Sequence, residues 1–333
     1  MAMATLLLPP TARLAGPLPP SLAAALGRAD RMPDAEPGER AQLLRHFELL
    51  PRGWPVAALT RQSDAGDAEF SAWLRADPAW VRPDINGVRL LACGDGLHLT
   101  QADVDALLPA LRPLFGDAGF PIDAPVPSRW YLRLPREAIL PVFAEPTEAL
   151  GADLFDYMPQ VSMLSESENA VGAARRWRVL LNDAQVVLHN HPWNAQRAAV
   201  GKPPVNALWF WGSGVLPDHV ATTHAWVQSD ECVLRALAAA SMASLSPATP
   251  RFVLLDGDAL VDLRASRDVA SLAADWLMPA LSALQDGRLE RMQLDFADGS
   301  GFRLERRQRW RFWRKSLFEM RSPGEPSQDA APN

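Results

Sequence analysis

The stretch from Leu188 to Gly214, LHNHPWNAQRAAVGKPPVNALWFWGSG, restricts the backbone more than any other part of the chain. A helix runs into it, because Val171, Ala174, Trp177, Leu181 and Leu188 recur at helical spacing from about Asn169 to His189. Pro192 ends that helix, having no amide hydrogen to donate and a ring that collides with the preceding turn. Ala195 to Ala199 has room for one further turn, and Gly201 is placed to cap it in the left-handed conformation. Asn206 to Gly212 then reads as a buried strand, with Gly212-Ser213-Gly214 leading out into a loop. On an open α/β sheet ligands sit outside the carboxyl ends of strands, so this exit is a favourable address for a site.

The remaining pattern alternates strands and helices. Ala4 to Leu8 reads as a first buried strand, Ser21 to Met32 and Gly38 to Leu50 as helices, Asp67 to Ala76 as one more helix, and Arg82 to Ala92 as a strand ending at Gly94-Asp95-Gly96. Thr100 with Asp103 three residues on predicts a capping-box start to a helix through Leu111. Trp130 to Leu134 and Arg251 to Leu255 alternate as strands, Ser229 to Ser244 and Asp268 to Gln285 have helical spacing, and Arg288–Phe296 and Ser300–Arg306 form a hairpin across Ala297-Asp298-Gly299. The expectation is an α/β fold, a mixed sheet flanked by helices. It divides into an N-terminal α/β region over 1–160, a C-terminal α/β region over 161–318 that carries the motif, and a disordered Pro, Gly, Ser and Asp tail over 319–333.

Composition narrows the function classes. At 333 residues and 48% hydrophobic the chain can bury one large core or two moderate ones. A net charge of −6 offers no general field for a polyanion, which predicts no nucleic-acid partner. No window holds the roughly 18 apolar residues of a membrane span, which predicts no membrane partner. Cys93 and Cys232 are far apart and lack a CxxC spacing, so neither a disulfide framework nor a thiolate metal site is indicated, in keeping with a cytoplasmic protein.

Within the motif, His189, His191, Asn194, Arg197, Asn206, Trp211, Gly212 and Gly214 are the candidate ligand-binding residues. Arg197 can hold phosphate or carboxylate through two parallel hydrogen bonds, and Gly212 and Gly214 permit close approach to backbone amides. Each has an architectural alternative. His189 suits the carbonyl end of a helix, and His191 before Pro192 suits a turn. Asn194 and Asn206 suit Asx bonds to loop backbone, and Trp209 and Trp211 share one strand face as core residues do. Elsewhere, His219 and His224 lie five apart beside Asp218 and Asp230, Asp256-Gly257-Asp258 reads as a turn, and Ser162, Ser165 and Ser167 lie in a loop with no general base adjacent. Arg303 to Lys315, RLERRQRWRFWRK, reads as an edge strand with Trp310 and Phe312 inward and the arginines outward. No catalytic residue is identified.

The motif resembles HPxNxxRxxxGxxPxNxxWxWGxG of the archaeal-type cofactor-independent (2,3-bisphosphoglycerate-independent) phosphoglycerate mutases. It resembles still more closely the RpfE-type regulatory proteins, a likeness that takes in the early LLLP, the LFDYMPQ region and the WRFWRK close. The resemblance implies part of an alkaline-phosphatase-like architecture and a bacterial regulatory role that retains a small phosphate- or carboxylate-recognising pocket, with a small phosphorylated or carboxylate metabolite or a protein as partner; the alternatives are an active metal-dependent mutase or phosphohydrolase and a non-catalytic interaction scaffold. An active mutase of that kind uses a two-metal centre and a serine phosphoacceptor. Neither an early DGxG-like Asp nor a His-x-x-x-Asp group after the motif occurs here, so no metal or other cofactor is expected; Mn or Mg would enter only if turnover were retained.

Overall fold

The computed structural model describes residues 2–85, 87–157 and 168–320. Two compact units result: Met1–Leu50 with His219–Asn333, and Pro51–Asp218. This differs from the division expected near residue 160. The physical reason is strand pairing over great sequence distance, since Ala2–Leu8 lies between Asp258–Asp262 and Leu289–Phe296 and is parallel to both. Strands of the first fifty residues therefore complete the C-terminal sheet, and the middle of the chain forms a separate compact unit.

The first unit is built on a seven-stranded sheet in the order Ser244–Ser246, Trp226–Gln228, Asp258–Asp262, Ala2–Leu8, Leu289–Phe296, Gly301–Glu305, Asp30–Arg31. The first five run parallel and the last two pairings are antiparallel. Ala2–Leu8 is central, and Leu6, Leu7 and Leu8 are completely buried, which is why this strand reads as a continuous apolar run. Each such leucine contributes about 1.5–3 kcal/mol by leaving water. Leu6, Leu8, Val261, Leu294 and Phe296 pack against Leu22 and Leu26 of the helix Pro20–Arg28 and against Leu277, Leu281 and Leu284. The expected hairpin forms as Leu289–Phe296 with Gly301–Glu305, and Asp268 caps its helix through the amides of Ala270 and Ser271. Arg251–Leu255 is not a strand; the pairing segment is Asp258–Asp262, just past Gly257. Gly38–Leu50 divides into the helix Glu39–Leu44 and the strand Glu48–Leu50.

The second unit is an antiparallel five-stranded sheet. Its long strand Ala72–Asp84 pairs with Gly87–Cys93, Arg129–Leu134 and Ala207–Val215, and Ile122–Val126 pairs with Arg129–Leu134. The helix expected over Asp67–Ala76 is replaced by the start of this strand. Ala72 to Ala79 is buried throughout, so the period-2 alternation that marks a half-exposed strand is missing. The helices Gln101–Asp117 and Glu168–His189 share a core with Leu74, Ala76, Leu132, Leu208 and Phe210, while Ala57 and Ala58 of Val56–Ala65 pack with Trp73 and Tyr131. Thr100 and Asp103 form the capping box. Among the described residues no helix is long and apolar enough to cross a membrane. Ser162, Ser165, Ser167, Met158-Pro159 and residues 321–333 of the tail lie outside the described residues.

Candidate functional site

The motif begins where Glu168–His189 ends, with His189 exposed on the last turn. His191 Nδ1 accepts the Trp193 amide at 3.3 Å and so holds the turn into the short helix Trp193–Ala199. Asn194 acts as a staple. Its Nδ2 donates to the carbonyls of Leu188 (2.8 Å) and Val205 (2.9 Å), and its Oδ1 accepts the Val205 amide at 2.9 Å. Gly201, at φ +74°, closes the helix as its position predicts.

Arg197 is 2% exposed. Its Nε donates to the Pro203 carbonyl and its Nη2 to the Leu97 carbonyl, both at 2.9 Å. Its Nη1 lies 2.8 Å from Asp103 Oδ1, an ion-pair contact off the line of an ideal hydrogen bond. Asp103 also accepts from Trp193 Nε1 and the Thr100 amide. Burial opposes ionisation of this carboxyl, but the Trp193, Thr100 and Arg197 donors outweigh it and hold the group well below the usual carboxylate range. One guanidinium thereby joins the motif to the capped helix Gln101–Asp117.

Asn206 pairs both ways with Val81, accepting its amide at 2.9 Å and donating to its carbonyl at 2.8 Å, as an extra strand residue would. Trp209 Nε1 donates to the Ala144 carbonyl and Trp211 Nε1 to Asp77 Oδ2. The strand does not end at the glycines, as expected, but runs on to Val215 antiparallel to Ala72–Asp84. The carboxyl-edge rule for parallel strands therefore does not apply to it. Gly212 and Gly214 are needed for close packing, because a Cβ there would stand 2.9 Å from Val56 Cβ and 2.5 Å from Pro55 Cβ respectively.

The carboxyl edge of a parallel sheet does exist in the first unit. Asp262 and Asp295 both align with Leu7, one from each neighbouring strand, which sets the two carboxylates at the same level on the same face. Arg264 holds Asp262 through two parallel bonds, Nε to Oδ1 and Nη2 to Oδ2, both 2.8 Å, and Ser229 Oγ adds a third at 2.8 Å. Glu231 and Glu39 lie 3.4 and 3.7 Å from the same guanidinium. Arg45 donates to Asp295 through Nε (3.1 Å) and Nη2 (2.5 Å), and His46 Nε2 lies 2.7 Å from Asp295 Oδ2. Burial alone raises both carboxyls; Arg264 with Ser229 in one case, and His46 with Arg45 in the other, bring them below the ordinary value.

His224 pairs with His46 and Asp258, at 3.1 Å and 3.0 Å. The sequence spacing that set it beside His219 had no means of showing this, and nothing local marked Arg45, Arg264, Asp262 or Asp295. The nearest signal was an Asp at the end of one strand, ALVD, and one residue before the end of another, MQLDF.

A two-metal centre would need free carboxylate oxygens at this edge. Those of Asp262 and Asp295 are directed at guanidinium and imidazole groups, and among the described residues no group of three or more His, Cys, Asp or Glu is placed to hold a metal ion. The residues present do not fit such a centre.

Over 198 residues the chain is 26% identical to a probable 2,3-bisphosphoglycerate-independent phosphoglycerate mutase of Geobacter sulfurreducens. The chain is similar to a cofactor-independent mutase. The match takes in 58% of this chain and 46% of the relative, so the chain spans about half the length of the curated relative it matches. No family model matches. Among solved structures, a cofactor-independent phosphoglycerate mutase from Thermoplasma acidophilum aligns over 91% of this chain and 89% of its own, at 14% identity and a TM-score of 0.39. The PH0037 protein from Pyrococcus horikoshii aligns over 91% and 87%, at 12% identity and a TM-score of 0.41. Superpositions this loose carry no argument about the fold or the site.

Proposed function

We propose that this chain is a phosphoglycerate-mutase-like protein that works by binding, as a regulatory protein does, and not by metal-dependent turnover. The observation that carries this reading is the clamping of Asp262 and Asp295 by Arg264 and Arg45 at the carboxyl edge of the parallel sheet, where a phosphoryl-transfer centre would need them free. The HPxN to WGxG motif supports it. Asn194, Arg197, Asn206 and Trp211 each spend their polar groups on the protein's own backbone or carboxylates, and Gly212 and Gly214 admit the Pro55-Val56 turn. In this reading the motif is an architectural brace, and an anion would reach Arg197 only by displacing Leu97, Pro203 and Asp103.

The test is conversion of 3-phosphoglycerate by the purified full chain, coupled to enolase, with Mn²⁺, with Mg²⁺ and with a chelator. No turnover above the enzyme-free rate under any of these conditions is expected. Metal-dependent turnover abolished by the chelator would overturn the reading.

A further inference from the structure

Trp310, Phe312 and Trp313 are 65%, 78% and 70% exposed, and Phe318 is 64% exposed. The segment is not the edge strand its alternation predicts. Arg306–Trp310 is a short 3₁₀ helix, and tight turns follow it, with Phe312 N donating to the Trp310 carbonyl and Arg314 N to the Arg311 carbonyl. Alternation failed as a guide because Arg311, not an aromatic, is the residue turned toward the fold, where it pairs with Asp30.

The display is held in place at several points. Gln308 donates to Asp30 and to the Arg303 carbonyl, Arg314 to the Ala29 carbonyl, and Leu317 N to the Ala23 carbonyl; Leu18 N donates to the Phe318 carbonyl. Gly27 packs directly beneath the Lys315 carbonyl, where no Cβ would fit. The aromatics therefore face solvent on an anchored backbone, and large clustered aromatics in water mark a contact surface.

Between Arg303 and Lys315 there are seven cations and one carboxylate, in a chain whose net charge is −6. Glu305 is taken up by Arg307 and Arg291, and among the described residues Arg303, Arg306, Arg309 and Lys315 have no carboxylate partner. We infer that this face docks on an anionic lipid bilayer, with Trp310, Phe312 and Trp313 entering the headgroup layer and the cations bound to lipid phosphates. Tryptophan and phenylalanine favour that interface, and juxtaposed Arg and Lys add attraction to anionic headgroups. A single-stranded nucleic acid fits less well, because it stacks on open ring faces. Here Arg309 covers the Trp310 ring at 4.9 Å, and Phe312 meets Trp313 edge to face at 79°. The expectation of no membrane partner rested on the lack of a spanning segment, and docking of a surface needs none.

Cosedimentation of the full chain with phosphatidylglycerol vesicles, against phosphatidylcholine vesicles, tests this. Binding to the anionic vesicles alone is expected, weakened by 0.5 M salt and reduced at least tenfold in the Trp310→Ala, Phe312→Ala, Trp313→Ala variant and in Arg309→Glu with Lys315→Glu. Because all these side chains are exposed, the thermal midpoint of each variant should match that of the parent. No vesicle binding, equal binding to both lipids, or binding that survives both variants would overturn the inference. So would capture of a single-stranded oligonucleotide, or a dimer, that the same variants abolish while vesicle binding persists.

Discussion

Asp262 and Asp295 flank Leu7 at the same level of three parallel strands, and each carries its own arginine, Arg264 on one and Arg45 on the other. Two negative charges at a sheet edge are thereby neutralised within the chain.

Arg264 is buried, and removing it leaves Asp262 as an uncompensated charge beside Glu231 and Glu39. Breaking one partner of such a pair costs about 3–5 kcal/mol. Arg264→Met is expected to lower the urea midpoint by a corresponding amount, and adding Asp262→Asn should recover much of it. Equal midpoints for the parent and Arg264→Met would contradict this.

Acid should destabilise the protein in a defined sense. Asp103, Asp262 and Asp295 all have folded-state values below those of the unfolded chain. Their contribution is complete above the unfolded value of about 4 and fades as pH falls toward the folded values, because the unfolded chain binds the protons first. Urea midpoints measured from pH 7 to pH 3 should hold until about pH 5 and then drop, with a shallower drop in Asp262→Asn.

Asn194 makes three bonds that tie the end of one helix to the strand entry at Val205. Asn194→Ala leaves these buried groups unpaired, at about 1–3 kcal/mol for each one left unsatisfied. Lower stability with no change in vesicle binding is the expected outcome.

Gly212 combines φ +65° with a missing Cβ that would press on Val56. Gly212→Ala should cost about 1–3 kcal/mol from backbone strain and the close contact, whereas Gly201→Ala, which has open space around it, should cost less. Equal losses in the two variants, measured by chemical denaturation, would contradict the packing role.

Local signals were legible. The Thr100–Asp103 capping box, the Gly201 cap and the hairpin over residues 289–305 each depend on residues a few positions apart. The first part of the strand Ala72–Asp84 was not legible, because burial of Ala72 to Ala79 on both faces erases alternation. The candidate site was legible only as a motif. The motif's residues stand together in sequence, but their partners Val81, Leu97 and Asp103 lie about a hundred positions away. Arg45 with Asp295 spans 250 positions, and no spacing rule reaches that far.

Mn²⁺ binding to the full chain, followed by the loss of the free-ion spin-resonance signal, tests the proposed absence of a metal centre at Asp262 and Asp295 most directly. The account predicts a signal that tracks total Mn²⁺ with no stoichiometric uptake at micromolar concentrations, for the parent protein with Arg45 and Arg264 in place. Uptake of one or two equivalents per chain, lost in Asp262→Asn or Asp295→Asn, would show that these carboxylates serve a metal and would contradict it.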